Sequence, residues 1–398
     1  MKNTNFYLTA LATGLVLLPY SPAKADDTSA STAAAPAAVS LSMPSMTGPL
    51  AGNSAPFSFD THSSIGKVYV TGAATAIGLT QSNATATDRT SLADISNGQI
   101  FVQNTDGQFQ FFVEGGAYSI PDLGTAYTRV GKTTALTYGY LPQGYIKLVP
   151  NSAFSLEAGK LPTLFGAEYT FTFENMNIER GLLWNQENAV NRGVQANYTT
   201  GPLALSLSLN DGFYSGRLNW LSGAATYTID SASSLEAVAG GSLSRTSYST
   251  FATPTAQNNS SIYNIIYTRT AGAWTFNPYL QYTYVPEDVS AGLDHSASTY
   301  GAAMLVKYAF NSNVSLAGRG EYIGSSGSAA AGAPNLLYGQ GSRAWSFTVT
   351  PTYQYNQFFG RVDASYVGAS GTTAGDAFGN SGNNTSQGRL VLETGVLF

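Results

Sequence analysis

Residues 343–355 read RAWSFTVTPTYQY, and their apolar and polar side chains alternate one by one. One face carries Trp345, Phe347, Val349, Tyr353 and Tyr355, and the other carries Ser346, Thr348, Thr350, Thr352 and Gln354. A period of two residues predicts a β-strand, because a helix would bring residues three and four apart onto one face. Pro351 argues against this interpretation, since a proline within a strand removes one hydrogen bond from the sheet ladder.

The same alternation recurs in residues 203–209 (LALSLSL) and in residues 274–284 (WTFNPYLQYTY). In the second run, Pro278 would likewise remove one hydrogen bond from the ladder. The polar faces of these runs are mainly Ser, Thr, Gln and Asn. A soluble sheet places charged residues on its water-facing side, so a secreted β-sandwich or propeller is disfavoured. Strands with one face toward lipid and an uncharged polar face toward water favour a membrane barrel.

The composition of the whole chain agrees with membrane strands. Charged residues make up 10% of the 398 residues, against roughly 25% in an average soluble domain. The 25 Tyr and 20 Phe residues suit the aromatic girdles at the two membrane interfaces. No stretch beyond the N-terminal leader is long and apolar enough for a transmembrane helix. A membrane-spanning state must therefore be a closed barrel, because an open sheet edge leaves backbone groups unpaired in lipid.

The breaks between the alternating runs are rich in Gly, Asn, Ser and Asp, as turns require. Examples are residues 104–107, 311–313, 324–332 and 371–384. Short and long breaks alternate in places, which fits short periplasmic turns and longer outer loops. At roughly 20 residues for each strand and its connection, the chain from Gly66 onward holds about 16 strands, within a range of about 14 to 18. The predicted fold class is all-β, a transmembrane antiparallel β-barrel.

The N-terminal residues predict export. Lys2 precedes an apolar run at 6–18, and residues 23–25 (AKA) have the small-x-small pattern of a signal-peptidase site. A membrane anchor is the alternative, but the run is shorter than the ~20 residues that span a bilayer. The predicted domains are a signal peptide at 1–25, cleaved after Ala25, a flexible Ala/Ser/Pro-rich periplasmic arm at 26–56, and the transmembrane barrel at 57–398.

The C-terminal residues are a second indication that the protein is located in the outer membrane. Residues 389–398 (RLVLETGVLF) alternate in the same way and finish with Phe398. An alternating strand with a terminal Phe resembles the signal that the bacterial barrel-assembly machinery reads. We therefore expect outer-membrane lipid and the barrel-assembly machinery as partners.

Charged residues on the polar faces are the natural candidates for a function, since the chain has few of them. If the apolar faces contact lipid, the predicted lumen-lining charges are Lys147, Glu157, Lys307, Arg319, Glu321, Arg361, Asp363, Arg389 and Glu393. A lumen lined with both signs would set a transverse field that sorts solutes by charge. The alternative is that opposite charges such as Arg319 and Glu321 only make the barrel wall rigid. Both interpretations can hold together.

Residues 161–192 (LPTLFGAEYTFTFENMNIERGLLWNQENAVNR) depart from the strand pattern. A long connection with aromatic and charged residues of its own is usually functional. We expect the stretch from 162 to 191 to fold into the lumen and narrow it; an ordinary loop packed on the outer rim is the alternative. The predicted constriction residues are Lys160, Glu168, Glu174, Glu179, Arg180, Glu187 and Arg192.

Two stretches of the sequence resemble a known protein family. Residues 159–195 (GKLPTLFGAEYTFTFENMNIERGLLWNQENAVNRGVQ) and residues 205–220 (LSLSLNDGFYSGRLNW) resemble the β-barrel porin family of Gram-negative bacteria. The resemblance covers the predicted barrel from about residue 60 onward, although only these two stretches are distinctive. It implies an outer-membrane porin and names no substrate.

Enzymatic, metal and nucleic-acid functions find little support. The two histidines are His62 and His295; residues 294–296 (DHS) hold triad-like types, but neighbours on a strand point to opposite faces. Residues 131–133 (GKT) lack the upstream glycine of a phosphate-binding loop. Cys is absent, no His or carboxylate cluster has metal spacing, and no cofactor is predicted. The net charge of −5 disfavours nucleic acid.

The sequence therefore predicts a porin for passive diffusion of small hydrophilic solutes or ions, without enzyme activity. A plugged barrel with a structural, adhesive or receptor role is the main alternative, and an outer-membrane hydrolase is the third. Ion preference stays open, and so does oligomeric state, for which a homo-trimer is one option.

Overall fold

The computed structural model describes residues 49–251 and 253–398. The predicted signal peptide at 1–25, its cleavage after Ala25 and the arm up to residue 48 lie outside the described residues. Among the described residues, none of the helices is long and apolar enough to cross a membrane.

Seventeen strands make up the structure. They are β1 (Phe57–Asp60), β2 (Lys67–Gln81), β3 (Ser91–Asn104), β4 (Phe109–Tyr118), β5 (Gln143–Asn151), β6 (Phe154–Pro162), β7 (Val190–Thr200), β8 (Leu203–Asn210), β9 (Trp220–Asp230), β10 (Ser233–Ser242), β11 (Ser261–Ala271), β12 (Trp274–Val285), β13 (Ala297–Ala309), β14 (Val314–Ser325), β15 (Arg343–Tyr355), β16 (Phe358–Ser370) and β17 (Ser386–Leu397). Short helices lie in the connections: α1 (Val130–Leu136), α2 (Thr255–Asn258) and 3-10 turns at Thr172–Glu174, Leu183–Gln186, Val289–Ala291 and Ala329–Ala331.

Strands β2 to β17 form a closed antiparallel barrel of 16 strands. Each pairs with the next along the chain, and β17 closes the ring by pairing with β2 from Arg389↔Gln81 to Leu397↔Ala73. The predicted antiparallel barrel of about 16 strands is confirmed. The short strand β1 pairs with residues 67–70 of β2, so it continues along the edge of β2 beyond the end of β17.

The connections alternate strictly between short and long. Seven turns of two to four residues lie at one end of the barrel: 105–108, 152–153, 201–202, 231–232, 272–273, 310–313 and 356–357. Eight connections of nine or more residues lie at the other: 82–90, 119–142, 163–189, 211–219, 243–260, 286–296, 326–342 and 371–385. We call these the short-turn end and the long-loop end. The predicted alternation therefore extends around the whole ring.

The two faces of β15 differ as the sequence predicts. In β15, Trp345 and Phe347 are half exposed, whereas Ser346 and Thr348 between them are buried. Because alternate side chains of a closed barrel point outward and inward, the apolar set faces lipid and the polar set faces the interior. The pairing between β15 and β16 is interrupted around Pro351 and continues on both sides of it. This proline therefore disturbs the ladder only locally.

Apolar clusters join inward-facing side chains of the wall to the connection between β6 and β7. One cluster joins Phe101 on β3 and Phe112 on β4 to Phe171, Phe173 and Trp184 of that connection. A second joins Leu182 and Leu183 to Tyr279, Leu305 and Ile323 on β12 to β14. Burial of this apolar area stabilises the position of the connection against the wall.

Candidate functional site

The connection between β6 and β7, residues 163–189, is the candidate site; we call it the β6–β7 segment. Connecting segments normally run over a protein surface. Here the side chains of Phe165, Phe171 and Trp184 are 0% exposed. Such burial requires partners for the polar backbone of the segment, and inward-facing side chains of the wall supply them.

One acceptor and one donor on β16 bind the middle of the segment, and Glu393 on β17 pairs with the donor. Asp363 Oδ2 accepts hydrogen bonds from the backbone N–H groups of Ile178 (2.8 Å) and Glu179 (2.9 Å). Arg361 Nη1 donates to Asn175 O at 2.8 Å, while its Nε and Nη2 donate to Glu393 Oε2 at 2.9 and 2.7 Å. The ion pair therefore orients the guanidinium that holds the segment.

Arg319 and Glu321 on β14 form the second attachment. Arg319 Nη1 donates to Glu168 Oε1 at 2.5 Å and to Glu179 O at 2.7 Å. Glu321 accepts from the backbone N–H of Leu182 at 3.0 Å. A Cβ at Gly181 would overlap the Glu321 carboxylate, so the close approach of segment and wall requires glycine there.

Arg389 on β17 links the segment to a second long-loop connection. Its Nη1 donates to Glu179 Oε1 at 2.7 Å and to Asp122 O at 2.8 Å, and its Nε donates to Gln81 Oε1 at 2.7 Å. Asp122 also lies 3.7 Å from Arg180 Nε, with both side chains fully buried. The charged groups of the segment are thus joined to those of the wall and of residues 119–142.

Uncharged side chains complete the attachment on other strands. Gln281 Nε2 on β12 donates to Leu183 O at 2.8 Å, and Asn264 Oδ1 on β11 accepts from Gly166 N at 3.2 Å. Asn97 on β3 donates to Thr172 Oγ1 at 2.7 Å. In a ring of 16, β14 and β15 stand eight strands from β6 and β7. The segment therefore contacts the wall opposite the strands that it connects.

Burial changes the protonation of several acids in the connections. It raises the pKa of Glu187 well above its usual range, and the negative charges of Glu168 and Glu321 add to the effect. Burial likewise raises the pKa of Glu174 to about 8, against a hydrogen bond from the Phe171 N–H that lowers it. Burial therefore favours the neutral form of both carboxyl groups.

The structure brings together most, not all, of the predicted site residues. Eleven lie in the segment or on the wall against it: Glu168, Glu174, Glu179, Arg180, Glu187, Arg319, Glu321, Arg361, Asp363, Arg389 and Glu393. Lys160 and Arg192 instead lie opposite each other on β6 and β7. Lys160 donates to Leu141 O at 2.7 Å, and Arg192 pairs with Asp211 at 2.7 Å, so both bind other connections.

The three other predicted lumen-lining charges lie apart from this cluster. Lys147 and Glu157 form an ion pair of 3.0 Å across β5 and β6. Lys307 on β13 donates to Pro49 O at 2.5 Å, near the short-turn end.

Sequence reasoning missed the uncharged attachments and Asp122. Asn97, Asn264 and Gln281 lie on polar faces of alternating runs, and the amide side chains there were the available signal. Nothing in the sequence pattern around Asp122 indicates that it meets Arg180 inside the barrel.

The residues suggested by the enzymatic interpretation do not converge. His295 Nδ1 lies 3.6 Å from Glu287 Oε2, and both side chains are about half exposed. His62 contacts Asp60 in the turn after β1. Within residues 49–251 and 253–398 no group of three or more His, Asp or Glu side chains could hold a metal ion.

A closed ring of 16 antiparallel strands, apolar outside and polar inside, defines the class of outer-membrane porins. Residues 67–398 match the family model described as "Putative beta-barrel porin-2, OmpL-like", and the chain belongs to this family. It is thus an outer-membrane porin. The resemblance seen in the sequence is confirmed.

Solved structures of outer-membrane proteins share the fold. The outer membrane channel DcaP of Acinetobacter baumannii superposes with a TM-score of 0.57 at 10% identity, over 83% of this chain and 97% of that chain. OmpT of Vibrio cholerae gives 0.56 at 11% identity, over 85% and 100%. OmpF of Salmonella typhi, in complex with daunomycin, gives 0.54 at 11% identity, over 83% and 98%. No curated protein matches the chain.

Proposed function

We propose that the protein is a passive diffusion channel for small hydrophilic solutes or ions, and that the β6–β7 segment crosses the lumen and sets its width. The observation that carries the proposal is the attachment of the segment to inward-facing Arg319, Arg361 and Asp363 on β14 and β16. These strands lie on the far side of the ring from β6 and β7. A segment held in this way leaves solutes only the space beside it.

The mechanism needs no cofactor. Solutes cross down their gradient, and the width and the polar surface of the remaining space filter them. Arg319, Arg361 and Arg389 each pair with a carboxylate. Their fields therefore largely cancel beyond a short distance.

Conductance in planar lipid bilayers tests the proposal. Purified, folded protein should give discrete steps, and deletion of residues 165–190 should enlarge them, because it removes the material that narrows the lumen. Deletion of the exposed residues 328–332 in another long-loop connection is the control and should leave the step size nearly unchanged. Folded wild-type protein that gives no steps would contradict an open channel.

A plugged barrel is the second candidate, because the interior of the segment is packed with buried aromatic side chains such as Phe165 and Trp184. In that case wild-type protein would be silent and only the deletion would conduct. We favour the channel because residues 67–398 match a porin family.

A channel without enzyme activity is part of the proposal. His295 lies on the surface beside Glu287, away from the interior. Esterase and protease assays on wild-type protein and on His295→Ala test this. Activity that the substitution abolishes would favour a hydrolase.

Export and assembly remain part of the same proposal. Cleavage after Ala25 is tested by the N-terminal sequence of the mature protein. A homo-trimer also fits, since OmpT of Vibrio cholerae, which shares the fold, is described in a trimer form. Mass measurement of the native detergent-solubilised protein decides between trimer and monomer.

A further inference from the structure

The residues before β1 enter the barrel at the short-turn end. Leu50 is only 4% exposed and belongs to the apolar cluster that contains Ala73, Phe359 and Leu397. These three wall residues lie near the short-turn ends of β2, β16 and β17 and are buried on the inward-facing side. An isolated loop residue becomes this buried only if the wall offers it a matching apolar surface.

Polar wall groups bind the backbone on either side of Leu50. The side-chain amide of Gln354 on β15 makes two hydrogen bonds with Ala51: Ala51 N donates to Oε1 at 2.8 Å, and Nε2 donates to Ala51 O at 2.7 Å. This pair satisfies both backbone groups of one residue, as a neighbouring strand would. The Gln354 amide therefore fixes the backbone of Ala51 against the wall.

Lys307 supplies the third contact. Its Nζ donates to Pro49 O at 2.5 Å. Among the described residues, no carboxylate forms an ion pair with this ammonium group. A partly buried ammonium group needs a polar partner, and the Pro49 carbonyl supplies it here, as Glu157 does for Lys147.

We propose that the inner wall at the short-turn end, formed by Lys307, Gln354, Phe359 and Leu397, is a docking site for residues 49–51 of the same chain. The docked stretch occupies one side of the mouth and restricts passage there. It is a second restriction, which shares an apolar cluster with Phe171, Phe173 and Trp184 of the β6–β7 segment but is attached to the wall by hydrogen bonds of its own, from Lys307 and Gln354. The docking itself does not depend on the proposed channel function. The restriction of passage does rest on that proposed function.

Cysteine labelling tests the docking without any conductance measurement. The chain has no Cys, so Leu50→Cys and the exposed control Ser54→Cys each present a single thiol. A membrane-impermeant maleimide should label Leu50→Cys in the folded protein at least about tenfold more slowly than Ser54→Cys, because a buried thiol reacts only after local opening. Adding Gln354→Ala should remove most of this protection. Equal labelling rates of the two single variants would overturn the docking.

Conductance then tests the restriction. Leu50→Asp places a charge in the apolar site and should release the stretch, so that single-channel conductance rises; Ser54→Asp, with the same charge at an exposed position, should behave as wild type. A synthetic peptide of residues 41–56, added on the short-turn side, should lower the conductance of Leu50→Asp again. The same peptide with Leu50→Asp should have no effect.

The outcomes separate the two proposals. Protected Leu50→Cys together with unchanged conductance of Leu50→Asp would overturn the restriction and leave the channel function standing. A protein whose variants all fail to conduct would overturn the channel function, while the labelling rates would still decide whether residues 49–51 dock.

Discussion

At the scale of single residues, the interior is notable for fully buried charges. Removing an ion pair from water costs free energy, and the attraction between the partners repays it only when further hydrogen bonds satisfy both groups. Arg361 and Glu393 meet this condition, since both also bind the β6–β7 segment, Glu393 through the Thr172 hydroxyl. The pair therefore contributes to the position of the segment more than to the strength of the wall.

Breaking this pair on one side should be costly. Arg361→Met leaves the Glu393 carboxylate buried without its counter-charge, so we expect a loss of about 3–5 kcal/mol in the free energy of unfolding. The double variant Arg361→Met/Glu393→Met should recover much of that loss. Denaturant unfolding in detergent measures both, with Arg343→Met at an exposed strand end as the control. A double variant as unstable as the single one would contradict this account of the pair.

Glu174 should give the folded state a pH dependence. Burial raises the pKa of its carboxyl to about 8 in the folded state. The folded protein thus keeps a proton that the unfolded chain has lost, and the free energy of unfolding should fall as pH rises from about 5 to about 8. Glu174→Gln should reduce this decline, whereas Asp106→Asn at an exposed site should not. If the free energy of unfolding depends on pH equally in Glu174→Gln and in wild type, Glu174 is not the cause of the pH dependence.

At the scale of elements, the β6–β7 segment is held by close backbone approach as well as by charge. A methyl group at Gly181 would overlap the Glu321 carboxylate. We expect Gly181→Ala to destabilise the protein by about 1–3 kcal/mol and to give less uniform channel steps, because the segment must shift away from β14. Gly131→Ala in α1 is the control, since no atom lies within 4 Å of the added carbon. Unchanged steps and stability in Gly181→Ala would contradict the tight attachment.

The elements also show how far sequence reasoning reaches. The period of two predicts β15 from Arg343 to Tyr355 with correct bounds, because alternation is a local property of the strand. The departure from that period marks residues 163–189 as different. Their partners on β14 and β16 lie well over a hundred positions further along the chain, and only closure of the ring brings them together. Lys160 and Arg192 show where sequence reasoning stops. They are adjacent to the segment in sequence and were therefore predicted to belong to the constriction, but they lie on the paired strands β6 and β7.

At the scale of the whole molecule, one seam closes the barrel. Beyond the last ladder pair, Gly72 N donates to Phe398 O at 2.8 Å, Phe398 N donates to Gly72 O at 2.9 Å, and the Phe398 ring lies over Gly72. The residue predicted to carry the assembly signal therefore also contributes to closure. Sequence alone does not separate these two roles.

Phe398→Ala separates them. If Phe398 is an assembly signal, the variant should give less heat-modifiable barrel in outer membranes of cells, while protein refolded in detergent should reach nearly wild-type yield. Phe310→Ala, an exposed aromatic residue in a short turn, is the control. An equal loss in cells and in detergent would assign the effect to closure, and no loss in either would contradict the assembly role.

The strict alternation of connections has a consequence for how the protein can vary. Every connection longer than four residues opens on the same side of the membrane. Added length is cheap in such loops, since the entropy of loop closure grows slowly with length, whereas an added residue in a two-residue turn would shift strand register and reverse which side chains meet lipid. Changes in loop length are thus confined to the long-loop end, and the short-turn end is held to nearly constant length.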